Sequence, residues 1–313
     1  MSIAAMRWEI ENQPENLEHI IRQLANNQIR IPSHHQIIFT GSGDSWAAAM
    51  FARELDNKIA LAEDPRGLLA KIGKPQRKRI VIISTSGRTR ANVELAKRAR
   101  IHKIQTIAVT SDSTSLLAEV CDESMILDYK KGSGLTSGTT SFTASLLACA
   151  KLLRRLPSDI KQGSAFSYAE EWARNVHISA LGKCVLVGSG VDRAIAEYGV
   201  CKIQEVLGST AIGSYPDQVG HALLFSLNRL RDTIVCVDTI GSAETRTLYK
   251  VLLTAGFRVF RLFLSGQGSL KKSLEACFHL QYLALLNAER DGNRECAFLR
   301  DKALLDLSSR LIY

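Results

Sequence analysis

No apolar run in the 313 residues is long enough to span a bilayer. The opening, MSIAAMRWEIENQPE, lacks the basic-then-apolar pattern of a secretory signal. Both absences point to a cytoplasmic protein with no membrane partner. Cys-x-x-Cys is missing too. Seven cysteines lie singly between Cys121 and Cys296, an odd set that argues for reduced thiols and against a disulfide framework or a zinc site. No metal is implied. Aromatic residues make up only 6% of the chain, and none interleaves the main basic cluster, KPQRKR (74–79). With no DNA-reading motif beside it, that cluster reads as a solvated loop and not as a nucleic-acid patch. The Walker pattern is absent, since Gly-Lys-Ser/Thr occurs nowhere. The dinucleotide fingerprint G-x-G-x-x-G fails at GSGDSW (41–46), where Trp46 replaces the glycine that lets helix and strand pack closely. An acidic pair, Glu63-Asp64, does follow about 20 residues on, as that fingerprint requires, but the strand leading to it is weak. No cofactor is implied.

What the chain has is length enough for two ordinary domains, 46% apolar residues and a net charge of +9, which favours anionic ligands. Short β-branched runs alternate with longer helical stretches, the pattern of a parallel sheet flanked by helices. In the first half the strands read QIIFTG (36–41), RIVIIS (79–84), QTIAVT (105–110) and SMILD (124–128), with helices at 45–56, 89–102 and 139–156. PSDIKQGS (157–164) has the composition of a linker. The pattern then restarts: VLVGSGVDRAIAEYG (185–199) echoes IIFTGSGDSWAAAMFA (37–52), and strands follow at 232–238 and 257–263. The expectation is an internal duplication, with α/β units at 1–160 and 161–313.

One loop stands out. STSGRTRAN (84–92) leaves an apolar strand and places Ser84, Thr85, Ser86 and Thr89 around Gly87 in one turn. A single Ser or Thr suffices to cap a helix; several hydroxyls at a helix start make a cradle for an anion, phosphate above all. If strands 36–41 and 79–84 are neighbours, Ser42, Asp44 and Ser45 face the same crevice.

These residues resemble the SIS (sugar isomerase) domain family, most closely the isomerase half of glucosamine-6-phosphate synthase, itself two SIS units in tandem. MRWEIENQP (6–14) is similar to its Met-x-x-Glu-Ile-x-x-Gln-Pro entry segment, and GSGDSW, including Gly43, to its Cys-Gly-Thr-Ser turn. STSGRT is similar to its Ser-Gln-Ser-Gly-Glu-Thr phosphate loop, and TSGTTSFT (136–143), beginning at Thr136, to its Val-Ala-Ser-Thr-Lys-Ala-Phe-Thr segment. Lys202, Glu205 and His221 keep the family's Lys-x-x-Glu and its histidine sixteen residues later.

The resemblance implies aldose–ketose chemistry on hexose 6-phosphates without a cofactor. Glu205 would be the base, Lys202 on the same helical face would tune it, and His221 would handle ring opening. In the family this histidine comes from the partner subunit, so a homodimer is implied. Ser84, Thr85, Ser86 and Thr89, helped by Ser45, would hold the phosphate. Isomerisation and deamination of glucosamine 6-phosphate to fructose 6-phosphate share this proton transfer; a non-catalytic phosphosugar sensor is the alternative class. The chain also departs from the family. Arg88 replaces a Glu in the phosphate loop. Asp44 replaces a Thr, either to receive a substrate amine or to cap its helix. Gly138 and Thr140 replace Ser and Lys, and Gln218 stands where a Glu would be. No cysteine is placed as an N-terminal glutaminase nucleophile, so glutamine-dependent synthesis by this chain alone is not expected. Lys302 lies one residue out of register with the reactive lysine of the synthase tail, and it is kept as a candidate.

Overall fold

The computed structural model describes residues 1–31, 36–73, 78–157, 165–265 and 268–313. Most of the basic cluster (74–77) and of the linker segment (158–164) lies outside the described residues. The chain forms two compact units. One gathers Gln13–Lys131, Thr140–Ile160 and Ala303–Tyr313; the other gathers Met1–Asn12, Gly132–Thr139 and Lys161–Lys302.

The first of these units is built on five parallel strands: β1 (Gln36–Thr40), β2 (Ala60–Ala62), β3 (Lys78–Ile83), β4 (Thr106–Thr110) and β5 (Glu123–Ile126), in the order β2-β1-β3-β4-β5. Parallel strands covered on both faces read as continuous apolar runs, and Ile80-Val81-Ile82-Ile83 is such a run, buried throughout. On one face Ile38, Ile80 and Ile82 pack with Val93, Leu95 and Ala96 of the helix Arg90–Ile101. The helix Asp44–Leu55 buries the small residues Ala47, Ala48 and Ala49, and the almost wholly buried helix Thr140–Leu152 packs on it. The weak strand before Glu63-Asp64 is real, but the acidic pair has structural work. Asp64 caps the helix Pro65–Lys71, accepting from the backbone N–H of Arg66 and Gly67 at 3.0 Å each, and Glu63 pairs with Lys71.

The other unit repeats the plan with four parallel strands: β6 (Cys184–Val187), β7 (Ala211–Ser214), β8 (Thr233–Asp238) and β9 (Arg258–Phe263), in the order β7-β6-β8-β9. Its core is threaded by the helix Ser269–Arg290, which buries sixteen residues from Leu270 to Ala288. In both sheets the second strand in the chain pairs outside the first, so connectivity reverses between β1 and β3, and again between β6 and β8. Crevices at such switch points, at the carboxyl ends of the strands, are where open α/β sheets hold ligands. Among the described residues no disulfide is formed. Among the described residues no helix is long and apolar enough to cross a membrane.

Candidate functional site

The crevice between β1 and β3 depends on two glycines. At Gly41 a Cβ would stand 2.5 Å from the Ser45 Cβ and 2.8 Å from the Ile83 carbonyl oxygen, so only glycine lets the helix start approach the end of β3. Gly87 takes a φ of +60°, and a Cβ there would collide with Ser115 at 2.2 Å. The result is a cavity of ≈ 340 Å³. Ser45, Ser84, Thr85, Ser86 and Thr89 line it. Thr89 sits at the cap position of the helix Arg90–Ile101 but makes no side-chain capping bond, so its hydroxyl is not spent on the helix. The loop is fixed by its own backbone: Gly87 N–H donates to Ser84 O at 3.0 Å, and Thr85 O accepts from the Thr110 and Ser111 hydroxyls at 3.0 and 3.1 Å.

The same cavity takes in residues the sequence did not single out: Ser111, Asp112, Lys131 and Tyr313, together with Arg88. Lys131 Nζ donates to Ser111 Oγ at 3.0 Å. The Thr114 hydroxyl and N–H hold the Asp112 carboxyl below its ordinary pKa, with Arg88 and Lys131 adding attraction. Arg90 Nε donates to Tyr313 O at 3.1 Å and so brings Tyr313 to the rim. Ser111 and Asp112 follow β4 directly, so the rule of carboxyl ends was the signal for them. Lys131 and Tyr313 carry no local signal.

Other candidates are not in the cavity lining. Ser42 and Gly43 are exposed in the turn. Asp44 is the first residue of its helix, half-buried, with Gly43 at the cap position. Thr136 belongs to the four-stranded unit, where its hydroxyl donates to Ser2 O at 3.0 Å.

Within the four-stranded unit the helix Val191–Lys202 widens into a π-helical turn, Ile203–Leu207, closed by Gly208 at φ +75°. Such turns recur at functional sites because they re-aim side chains. Lys202 is 0% exposed. Its Nζ donates to Glu205 Oε2 at 2.7 Å and to Ser137 Oγ at 2.6 Å, and lies 5.2 Å from the Tyr198 ring centroid. Ser137 Oγ in turn donates to Glu205 Oε2 at 2.6 Å, closing a triangle. Ser137 was missed in the sequence because it sits 68 residues from Glu205, in a segment matched for its neighbours. That segment is held in place: Tyr198 Oη donates to Gly138 O at 2.9 Å, and Thr139 Oγ1 donates to Glu9 Oε2 at 2.6 Å.

Burial opposes charge on Glu205. The Lys202 ammonium and the hydrogen bonds from Lys202 and Ser137 outweigh it, so the carboxyl lies below its ordinary pKa. The carboxylate is therefore ionised at neutral pH, yet 38% of the side chain remains exposed. His221 ends the short helix Pro216–His221 and is exposed, and Lys302 opens the helix Lys302–Ile312, also exposed. Among the described residues no three His, Cys, Asp or Glu side chains gather as a metal site.

Residues 30–155 match the model of the SIS domain family. By sequence, no curated protein matches the chain. Among solved structures, the C-terminal domain of glucosamine-fructose-6-phosphate aminotransferase from Francisella tularensis superposes with a TM-score of 0.74 at 16% identity, covering 93% of this chain and 97% of that one. Glucosamine-6-phosphate deaminase from Thermotoga maritima gives 0.73 at 16% identity, covering 93% and 95%. Tagatose-6-phosphate ketose/aldose isomerase from Escherichia coli gives 0.68 at 15% identity, covering 94% and 91%. At these identities the likeness is one of fold. Residues 30–155 thus resemble a SIS domain in sequence, and the chain folds as two SIS-like units in tandem.

Proposed function

We propose that this chain is an aldose–ketose isomerase of hexose 6-phosphates and, more finely, that it converts glucosamine 6-phosphate and water to fructose 6-phosphate and ammonia. The observation that carries the reading is the Lys202–Ser137–Glu205 triangle. An ordinary surface pair exposes both partners; here the ammonium is sealed and the carboxylate stays accessible and ionised. The reading assigns phosphate holding to Ser45, Ser84, Thr85, Ser86 and Thr89, with Arg88 and Lys131 supplying positive charge. A deaminase and a ketose/aldose isomerase among the proteins of like fold support the substrate class.

Glu205 removes the proton at C2 of the open-chain aldose, and the electron pair left behind forms a C1–C2 double bond as the carbonyl pair moves onto O1. Returning the proton to C1, with the proton of the C2 hydroxyl passing to O1, gives the ketose. With an amine on C2, the same transfer leaves an imine at C2, which water hydrolyses to the ketone and ammonia. Lys202 does not reach the substrate, so it is a positioning residue: it holds Glu205 in place and keeps it charged. His221 moves the proton to and from the ring oxygen, supplied by the second subunit of a homodimer. Thr136, whose hydroxyl is engaged, and Lys302 have no step in this scheme.

The test is release of ammonia and fructose 6-phosphate from glucosamine 6-phosphate by the purified chain. Glu205→Gln is expected to lower turnover by about 10²–10⁴ while the fold is retained. If neither these products nor aldose–ketose exchange on other hexose 6-phosphates appears, the non-catalytic sensor takes its place.

A further inference from the structure

The two units can be registered on each other by backbone conformation alone. Gly43, before the helix Asp44–Leu55, has φ 59° and ψ −128°; Gly190, before the helix Val191–Lys202, has φ 56° and ψ −130°. Two residues on, Ser45 N–H donates to Ser42 O at 3.2 Å, and Asp192 N–H donates to Ser189 O at 3.0 Å. Ser45 and Asp192 are therefore counterparts. The loops after β3 and β8 correspond as well, with Gly87 and Gly241 both left-handed at φ 60° and 74°.

What fills the two crevices differs. In the five-stranded unit Ser45 lines an open cavity. In the four-stranded unit Asp192, 0% exposed, puts its own carboxylate on the counterpart loop. Oδ2 accepts from Thr239 N–H at 2.8 Å and Ile240 N–H at 3.2 Å, and Oδ1 accepts from the Thr239 hydroxyl. Burial pushes this carboxyl up to about 6 against the three donors, so at neutral pH the group on the loop is still an anion. Backbone N–H groups and a hydroxyl in the loop that follows a strand, gripping an anion, form the arrangement a phosphate would use.

We propose that the position shared by Ser45 and Asp192 decides whether a unit's crevice takes an external phosphate. The five-stranded crevice is open, the four-stranded crevice is occupied by the chain's own carboxylate, and each chain binds one sugar phosphate. This rests on the phosphate reading of the open crevice, and the experiment separates the two. Equilibrium dialysis of the full chain against glucosamine 6-phosphate and against inorganic phosphate gives the stoichiometry. The wild type binds one equivalent, Ser45→Asp weakens binding at least tenfold, and Asp192→Ser gains a second equivalent of inorganic phosphate. Zero equivalents for the wild type overturns the phosphate reading itself. Two equivalents, undiminished binding by Ser45→Asp, or a folded Asp192→Ser that gains nothing overturns the self-occupied crevice and leaves the open cradle standing. The wild-type and Ser45→Asp arms decide the matter even where Asp192→Ser fails to fold.

Discussion

Lys202 and Glu205 illustrate how an ordinary i, i+3 pair becomes a chemical group. Their spacing alone describes countless exposed helix pairs worth a few tenths of a kcal/mol. Sealing the ammonium and adding the Ser137 hydroxyl changes the balance: removing Lys202 leaves only the Ser137 hydroxyl to oppose burial at Glu205. Lys202→Met is therefore expected to raise the Glu205 pKa and to move the acid limb of the kcat/KM–pH profile to higher pH, with lower kcat. A pH–rate profile with an unmoved acid limb would remove Lys202 from the account. At the cradle, Arg88→Glu replaces a cation by the family's own anion, and KM for a hexose 6-phosphate is expected to rise roughly 10-fold with little change in kcat, the mark of uniform binding. A fall in kcat alone would place Arg88 elsewhere in the mechanism.

Elements carry a second kind of titration. His279 lies in the helix Ser269–Arg290 with the rings of Tyr168 and Trp172 edge-on at 5.5 Å each. Its Nδ1 donates to Glu275 O at 2.7 Å, and Nε2 has no partner among the described residues. Burial outweighs the Glu275 carbonyl and lowers the imidazole to about 4. Between pH 6.5 and about 4 the unfolded chain binds a proton that the native one does not, so stability is lost as pH falls through that window, by roughly 3 kcal/mol at most. His279→Leu is expected to flatten the pH dependence of the urea midpoint over this range. An unchanged slope would show that other groups set it.

Elements were also where the sequence was most and least legible. β1, β3, β4 and β8 stood out because strands buried on both faces must be apolar runs. β2 and β7, as Ala-Leu-Ala and Ala-Ile-Gly-Ser, have neither the length nor the β-branched content to signal themselves, and pairing alone makes them strands. The hydroxyl loop was legible because its residues are contiguous. Ser137, Lys131 and Tyr313 were not, because the fold brings them to their partners from distant segments.

At the scale of the whole molecule, the duplication explains why one fold contains two crevices and why they need not do the same work. It also bears on assembly. If His221 serves a second subunit's reaction, mixing Glu205→Gln with His221→Ala chains, each nearly inactive alone, should restore partial turnover after subunit exchange. Mixtures no more active than their parts would confine His221 to its own chain.

The most direct measurement is hydrogen exchange at the substrate's carbon. The chain would be incubated with fructose 6-phosphate in deuterium oxide and the C1 protons followed by NMR. The account predicts deuterium entering one C1 position with the wild type and exchange lower by about 10²–10⁴ with Glu205→Gln. Exchange at the wild-type rate in Glu205→Gln, or none in a wild-type chain that binds the sugar phosphate, would contradict proton transfer by Glu205.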